Sequence, residues 1–372
     1  MQTPQLQTLS FAGASGAVQQ QAGSTTSSEQ MALAIQTQKN NLIEVKDLLA
    51  RPDFESLKRN DTWEKGIRYQ RRYITNNFGG QNVTKAWLKM YEILTHTSVG
   101  NLLTQAQGTV NCFFNAELPG GFIYAVNHFL RTYNKQFDWV IASYLPKNTQ
   151  GKDFLKDDFS LLSKYPGHSL VGPVITNRGS FWCDGDLTNP KMPAILAALA
   201  TSRLSPIHLY TADGGFGVEG RENLQEELTL PLIRGEVECG LRSLTLGGVM
   251  IIKIFTFFTP QMWTMLVYLM RAFEQYDIFK PQTSGALNSE SYFIGIGYRG
   301  LAADALTIIA RDSADETTRY AIPTETENAY LLNKMTSMTN RQINNIRGFL
   351  VGKGPKLTVE LKVRFLRSDN QL

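Results

Sequence analysis

Cysteine is scarce in this chain. Only Cys112, Cys183 and Cys239 occur in 372 residues, far apart and without a CxxC pair. That excludes a disulfide framework and a cysteine-rich zinc site, and it fits a reducing compartment. Charge of one sign is also lacking. A net +4 permits an anionic partner without requiring one. No basic stretch followed by an apolar core opens the sequence, so no secretory signal is expected. The longest apolar run, 248–270, is broken by Lys253 and Pro260. A central lysine is costly in lipid, so the run reads as a buried strand followed by an amphipathic helix, and no membrane span is expected. Two phosphate-cradling signatures are missing from the glycine turn of 115–129. ELPGGF is not a GxGxxG, and no GKS or GKT follows it, which argues against a nicotinamide-dependent dehydrogenase and against a nucleoside triphosphatase.

Apolar residues make up 42% of the chain and aromatics 10%, enough for a sizeable core. Residues 1–30 are rich in Gln, Ser, Thr, Ala and Gly and read as a flexible tail. Residues 31–80 read as a polar helical extension in which Lys and Arg alternate with Trp63, Tyr69 and Tyr73. That mixture suits RNA, although a solvated helix face explains it as well or better. From 81 to 300, short apolar runs at 109–117, 139–144, 207–211, 248–255 and 292–298 alternate with helical patterns at 122–132, 222–244 and 260–274. Fully apolar strands separated by helices predict a doubly wound α/β sheet. Residues 301–372 form a C-terminal extension. Within it KLTVELKVRF (356–365) alternates strictly and predicts a half-buried strand.

Two loops carry candidate ligand contacts. In NAELPGGF, Glu117 ends a strand, and Pro119, Gly120, Gly121 and Phe122 form a tight turn into a helix with free N–H groups. In CDGD, Asp184 and Asp186 sit in a turn, where acids hold ribose hydroxyls or an adenine amino group. Either turn alone is as well explained by structure.

Four residues in fixed order raise the specificity: Lys89 in TKAWLKMYEIL, Asp213 in LYTADGG, Lys253 in GGVMIIK and Glu290 in NSESYFIG. This resembles the FtsJ-like family of ribose 2′-O-methyltransferases, and most of all its branch in African swine fever virus and related large cytoplasmic DNA viruses. The resemblance covers about residues 80–300. It implies a Rossmann-like methyltransferase fold with a mostly parallel seven-stranded sheet flanked by helices, and a Lys–Asp–Lys–Glu catalytic set. It implies S-adenosylmethionine as cofactor, held by Glu117, Pro119, Gly120, Gly121, Phe122, Asp184, Asp186 and Asp213. It also implies RNA, capped mRNA in particular, as substrate, capping-machinery subunits as further partners, and a cytoplasmic place in a viral factory or virion. No metal is expected, because methyl transfer activates neither water nor a phosphoryl group. The sequence departs from the family at two points: Glu117 and Leu118 precede the PGG turn, and Ser143 and Tyr144 stand where an acid follows the second strand. The competing reading is a non-catalytic RNA-binding or assembly subunit that kept the fold.

Overall fold

The computed structural model describes residues 24–50, 61–147, 157–176, 179–218, 220–300, 322–367 and 372. Most of the expected tail, and the start of the C-terminal extension, therefore lie outside the described residues. The chain enters through α1 (Ser24–Asp47) and α2 (Thr62–Phe78), followed by α3 (Lys85–His96) and α4 (Val99–Gln105). The sheet domain then runs β1 (Val110–Asn115), α5 (Gly121–Thr132), β2 (Phe137–Ala142), a hairpin β3 (Gly172–Thr176) and β4 (Gly179–Cys183), α6 (Met192–Arg203), β5 (Ile207–Ala212), α7 (Gln225–Ser243), β6 (Leu244–Ile254), α8 (Pro260–Ala272), β7 (Phe273–Phe279) and β8 (Ser291–Tyr298). A last helix, α9 (Glu325–Leu350), lies beyond the sheet.

The main sheet has the order β2-β1-β5-β6-β8-β7. β8 pairs antiparallel with both β6 and β7, whereas β2, β1, β5 and β6 pair in parallel. The sheet is mostly parallel as expected, but six strands rather than seven are found among the described residues. Beyond β2, where a seventh would lie, Ser169 makes a single parallel bridge to Ile141. The chain then leaves to form the separate β3–β4 hairpin.

Alternation along the strands divides the core between two faces. Met250, Ile252 and Ile254 of β6 join Leu196, Val237, Leu266 and Leu331 from α6, α7, α8 and α9. Val249 and Ile251 point the other way, toward Trp87, Leu88, Phe122 and Val126 of α3 and α5. Lys253 falls on this second face, opposite Tyr292 of β8. The run 248–270 resolves into the end of β6 and α8, capped by the Thr259 side chain. No described helix is long and apolar enough to cross a membrane.

Two expectations need correction. KLTVELKVRF joins no sheet. It is an extended strap across the helices: Val359 O accepts from Gln70 on α2, Arg364 O lies 2.9 Å from the His128 ring on α5, and Leu366 N donates to Phe78 O. Leu357, Leu361 and Val363 face the core, so extended chain on a helical surface produces the same alternation as a strand. The helix expected to continue to 274 stops at Ala272, and FEQYDIF becomes β7.

Candidate active site

Both edges of the ligand crevice are set by topology. The connections from β1 and β5 leave toward opposite faces, through α5 and α7, so a crevice opens at their carboxyl ends. Glu117 lies two residues past β1 and Asp213 one residue past β5. β6 delivers Lys253 to the same end. β8 runs the other way, so its beginning, not its end, arrives there with Glu290 just ahead of it. Lys89 comes from the second turn of α3, whose residues Trp87–Leu94 are all buried.

The four residues form one connected network. Lys89 Nζ lies 2.8 Å from Glu290 Oε1 and 3.6 Å from Asp213 Oδ2. Lys253 Nζ donates to Asp213 O at 2.7 Å and lies 3.3 Å from Asp213 Oδ1. Both lysines are buried, at 7% and 9% exposure, where an unpaired charge would be expensive. Two cations face two anions, so the cluster is balanced. Burial pulls Lys89 down, but Asp213 and Glu290 overcome it and hold its ammonium above the usual lysine range. Burial pushes the Asp213 carboxyl up, and Lys253, Lys89 and the Tyr292 hydroxyl outweigh that to leave it below the ordinary aspartate value.

Tyr292 is a member that the sequence did not reveal. Its hydroxyl lies 2.8 Å from Asp213 Oδ1 and 3.0 Å from Glu290 Oε1, one proton shared between two carboxylates. In YFIGIGY it reads as one more core aromatic. A second such residue is Glu236 of α7. Its Oε1 accepts from Gly214 N at 2.9 Å, and its Oε2 is buried without a partner. Burial pushes this carboxyl up to about 8. A Cβ on Gly214 would stand 2.0 Å from Glu236 Oε1, so the glycine after Asp213 is what admits the acid.

The PGG turn packs more than it presents. Gly120 has a left-handed φ of 108°, and a Cβ there would strike Leu161 at 2.1 Å. A Cβ on Gly121 would meet Thr84 Oγ1 at 2.6 Å and Ala86 Cβ at 2.8 Å. Neither missing Cβ opens space for a ligand: Gly120 gives its place to Leu161, and Gly121 fits α5 against α3, the helix that carries Lys89. Glu117 does face inward. Its Oε1 takes the Phe122 N–H at 2.6 Å, and its Oε2 is buried and unpartnered. Burial and the nearby Asp213 push this carboxyl well above the usual range, against the Phe122 N–H, Lys89 and Lys253. Ser143, in place of an acid, braces the turn by accepting from Glu117 N and Leu118 N. Asp184 and Asp186 each spend an oxygen on their own turn, accepting from Asp186 N and from Thr188. Gly185 brings that turn against Ser143 O, which places it beside Glu117.

The profile of FtsJ-like methyltransferases matches residues 82–298, the span that holds the sheet and the whole network. The chain belongs to the FtsJ-like methyltransferase family. It is 39% identical over 233 residues to "Probable methyltransferase EP424R" of African swine fever virus (strain Badajoz 1971 Vero-adapted), covering 62% of this chain and 52% of that protein. It is 31% identical over 274 residues to "Cap-specific mRNA (nucleoside-2'-O-)-methyltransferase 2" of Mus musculus, covering 71% of this chain and 34% of the mouse protein. The chain thus spans about half the length of the viral relative and a third of the mouse one. Within this FtsJ-like domain, Glu92 of α3 carries out a task no family pattern predicted. Its carboxylate accepts from Gln282 N, Thr283 N and Thr283 Oγ1, tying the β7–β8 loop to the helix of Lys89. Burial pushes that carboxyl up, against those three donors.

Proposed function

We propose that this chain is an S-adenosylmethionine-dependent RNA methyltransferase that acts on a ribose 2′-hydroxyl, with capped mRNA as substrate. The observation that carries this reading is the Lys89–Asp213–Lys253–Glu290 network, balanced in charge and set at the switch point of the sheet. The cofactor, when bound, supplies a methyl group on a positively charged sulfur. Glu117 fits such a group, since its buried Oε2 has no protein partner. The 119–122 turn, the Asp184–Asp186 turn and Asp213 complete the set of residues that would hold it.

A ribose hydroxyl is a weak nucleophile at neutral pH, so alignment and deprotonation are the tasks left to the protein. An ammonium has no lone pair, so Lys253 first releases a proton to solvent; as the neutral amine it then takes the hydroxyl proton on Nζ. It lies 3.3 Å from the Asp213 carboxylate and donates to Asp213 O at 2.7 Å, whereas Lys89 faces both Asp213 and Glu290. Lys89 keeps its proton and stabilises the developing alkoxide. Asp213 and Glu290 orient the two lysines, and the shared Tyr292 hydroxyl fixes the carboxylates relative to one another. On the likeness to a methyltransferase of African swine fever virus we place its action in the cytoplasm, and on the cap reading we add a viral factory or virion and capping subunits as partners.

The test is methyl transfer from labelled S-adenosylmethionine to capped and uncapped short RNAs, with wild type and Lys253→Ala. Transfer to capped RNA, reduced about 10²–10⁴-fold in the variant, is expected. Equal transfer to both RNAs would replace the cap assignment with a general ribose methyltransferase. RNA binding without any transfer would replace catalysis with a fold-retaining binding subunit.

A further inference from the structure

Outside the site, α2 presents an arrangement that the mechanism does not use. Arg68, Arg72 and Lys65 are exposed on one side of the helix, with no ion-pair partner among the described residues. Arg71 beside them is anchored by donating to Val83 O at 2.7 Å. The only acid in α2, Glu64, is taken by Lys85 at 2.6 Å. The three arginines border an open cleft of about 350 Å³ that ends at Val83. On the adjoining stripe, Tyr69 and Tyr73 stack at 5.7 Å with planes 12° apart, and Tyr69 is 66% exposed. An exposed aromatic pair beside guanidinium groups open to solvent offers together the two contacts that a flat, anionic chain uses, stacking and phosphate pairing.

The cleft also lies on the path to the site. Val83 leads directly to Thr84, which caps α3 and abuts Gly121 of the PGG turn. A chain lying along α2 is thus directed to the end of the helix that carries Lys89. We propose that this face of α2 is a track for single-stranded RNA, with Arg68 and Arg72 on phosphates and a base stacked on the open face of Tyr69. Single-stranded RNA is favoured because its bases are free to stack and its phosphates recur along the strand. The inference rests on the RNA substrate proposed above.

The test uses the full chain, a fluorescein-labelled 12-nucleotide RNA and anisotropy over a range of salt. Each phosphate contact contributes about 0.7 to the slope of log K against log salt for single strands. Arg68→Gln/Arg72→Gln is expected to lower the slope by about 1.4 and to raise the KM for RNA. Tyr69→Ala is expected to weaken binding about fivefold or more with the slope unchanged. In both variants kcat at saturating RNA stays at the wild-type value. If wild type transfers methyl groups and the double arginine variant binds with unchanged slope and affinity, the track is overturned while the enzyme reading stands. If wild type neither binds RNA nor transfers, the enzyme reading falls and takes the track with it. Poly-glutamate that binds wild type as tightly as RNA, and is lost in the arginine variant, would overturn the track in favour of a surface for acidic protein.

Discussion

At the scale of single residues, the site is governed by which buried groups carry charge. The four-residue network was legible because its members keep a fixed order in recognisable phrases, and Lys253 in MIIKIF is too expensive to bury without partners. Tyr292 and Glu236 were not legible. One looks like packing and the other like the outer face of a helix, and only the turn at Gly214 brings Glu236 under Asp213. Glu236 makes a pH prediction. Its carboxyl goes from an ordinary value of 4.5 to about 8 on folding, so the folded state holds the proton more tightly. The stability tied to it is complete below about 4.5 and is lost as pH rises through about 8, by ~1.4 kcal/mol per unit within that window. Glu236→Gln mimics the neutral form and removes the dependence. Unfolding in urea at pH 6 and pH 8 should show the variant gaining on wild type at the higher pH. A difference that stays constant between the two would refute the assignment.

At the scale of elements, the sheet could be read because parallel strands buried on both faces are continuous apolar runs. Strand β7 was hidden because FEQYDIF is half polar and follows α8 without a turn residue. The 356–365 strap misled because alternation reports an extended chain with one buried side, whatever lies beneath it. The element that matters most to the site is the loop from β7 to β8. Glu92 holds its start from α3, and Lys280 donates to Glu290 O at 2.7 Å near its end. Burial pulls Lys280 down to about 7, against the attraction of Glu290, so this brace is near its own titration at neutral pH. Glu92→Ala strands two buried donors and one partly buried one and should cost about 3 kcal/mol in urea unfolding. Methyl transfer should fall with it, measured at a temperature where the variant is still folded. Unchanged stability would show that water replaces the carboxylate.

At the scale of the whole molecule, the extensions are part of the core. Leu331 and Met335 of α9 belong to the same apolar cluster as the sheet, and Ile343 and Ile346 pack with Leu42 and Val45 of α1. Burying side chains of this size contributes roughly 1.5–3 kcal/mol each, so losing four or five of them rivals the stability of a typical domain. A chain ended at residue 300 should therefore express as insoluble or unfolded protein, judged by yield in the soluble fraction and by circular dichroism. A soluble, folded product would show that the sheet domain stands alone. The sequence could mark these extensions as separate in composition but not as inseparable in packing, because the contacts of α1 with α9 run between residues about 300 apart.

Ser289, next to Glu290, accepts a hydrogen bond from Lys46 of α1 and donates one to Gln342 of α9. During synthesis, then, a nascent chain that already contains Lys89, Asp213, Lys253 and Glu290 still waits for more than fifty further residues before Ser289 is gripped from both sides. The Lys89–Asp213–Lys253–Glu290 network is therefore braced late, when the second hand closes on the residue beside Glu290.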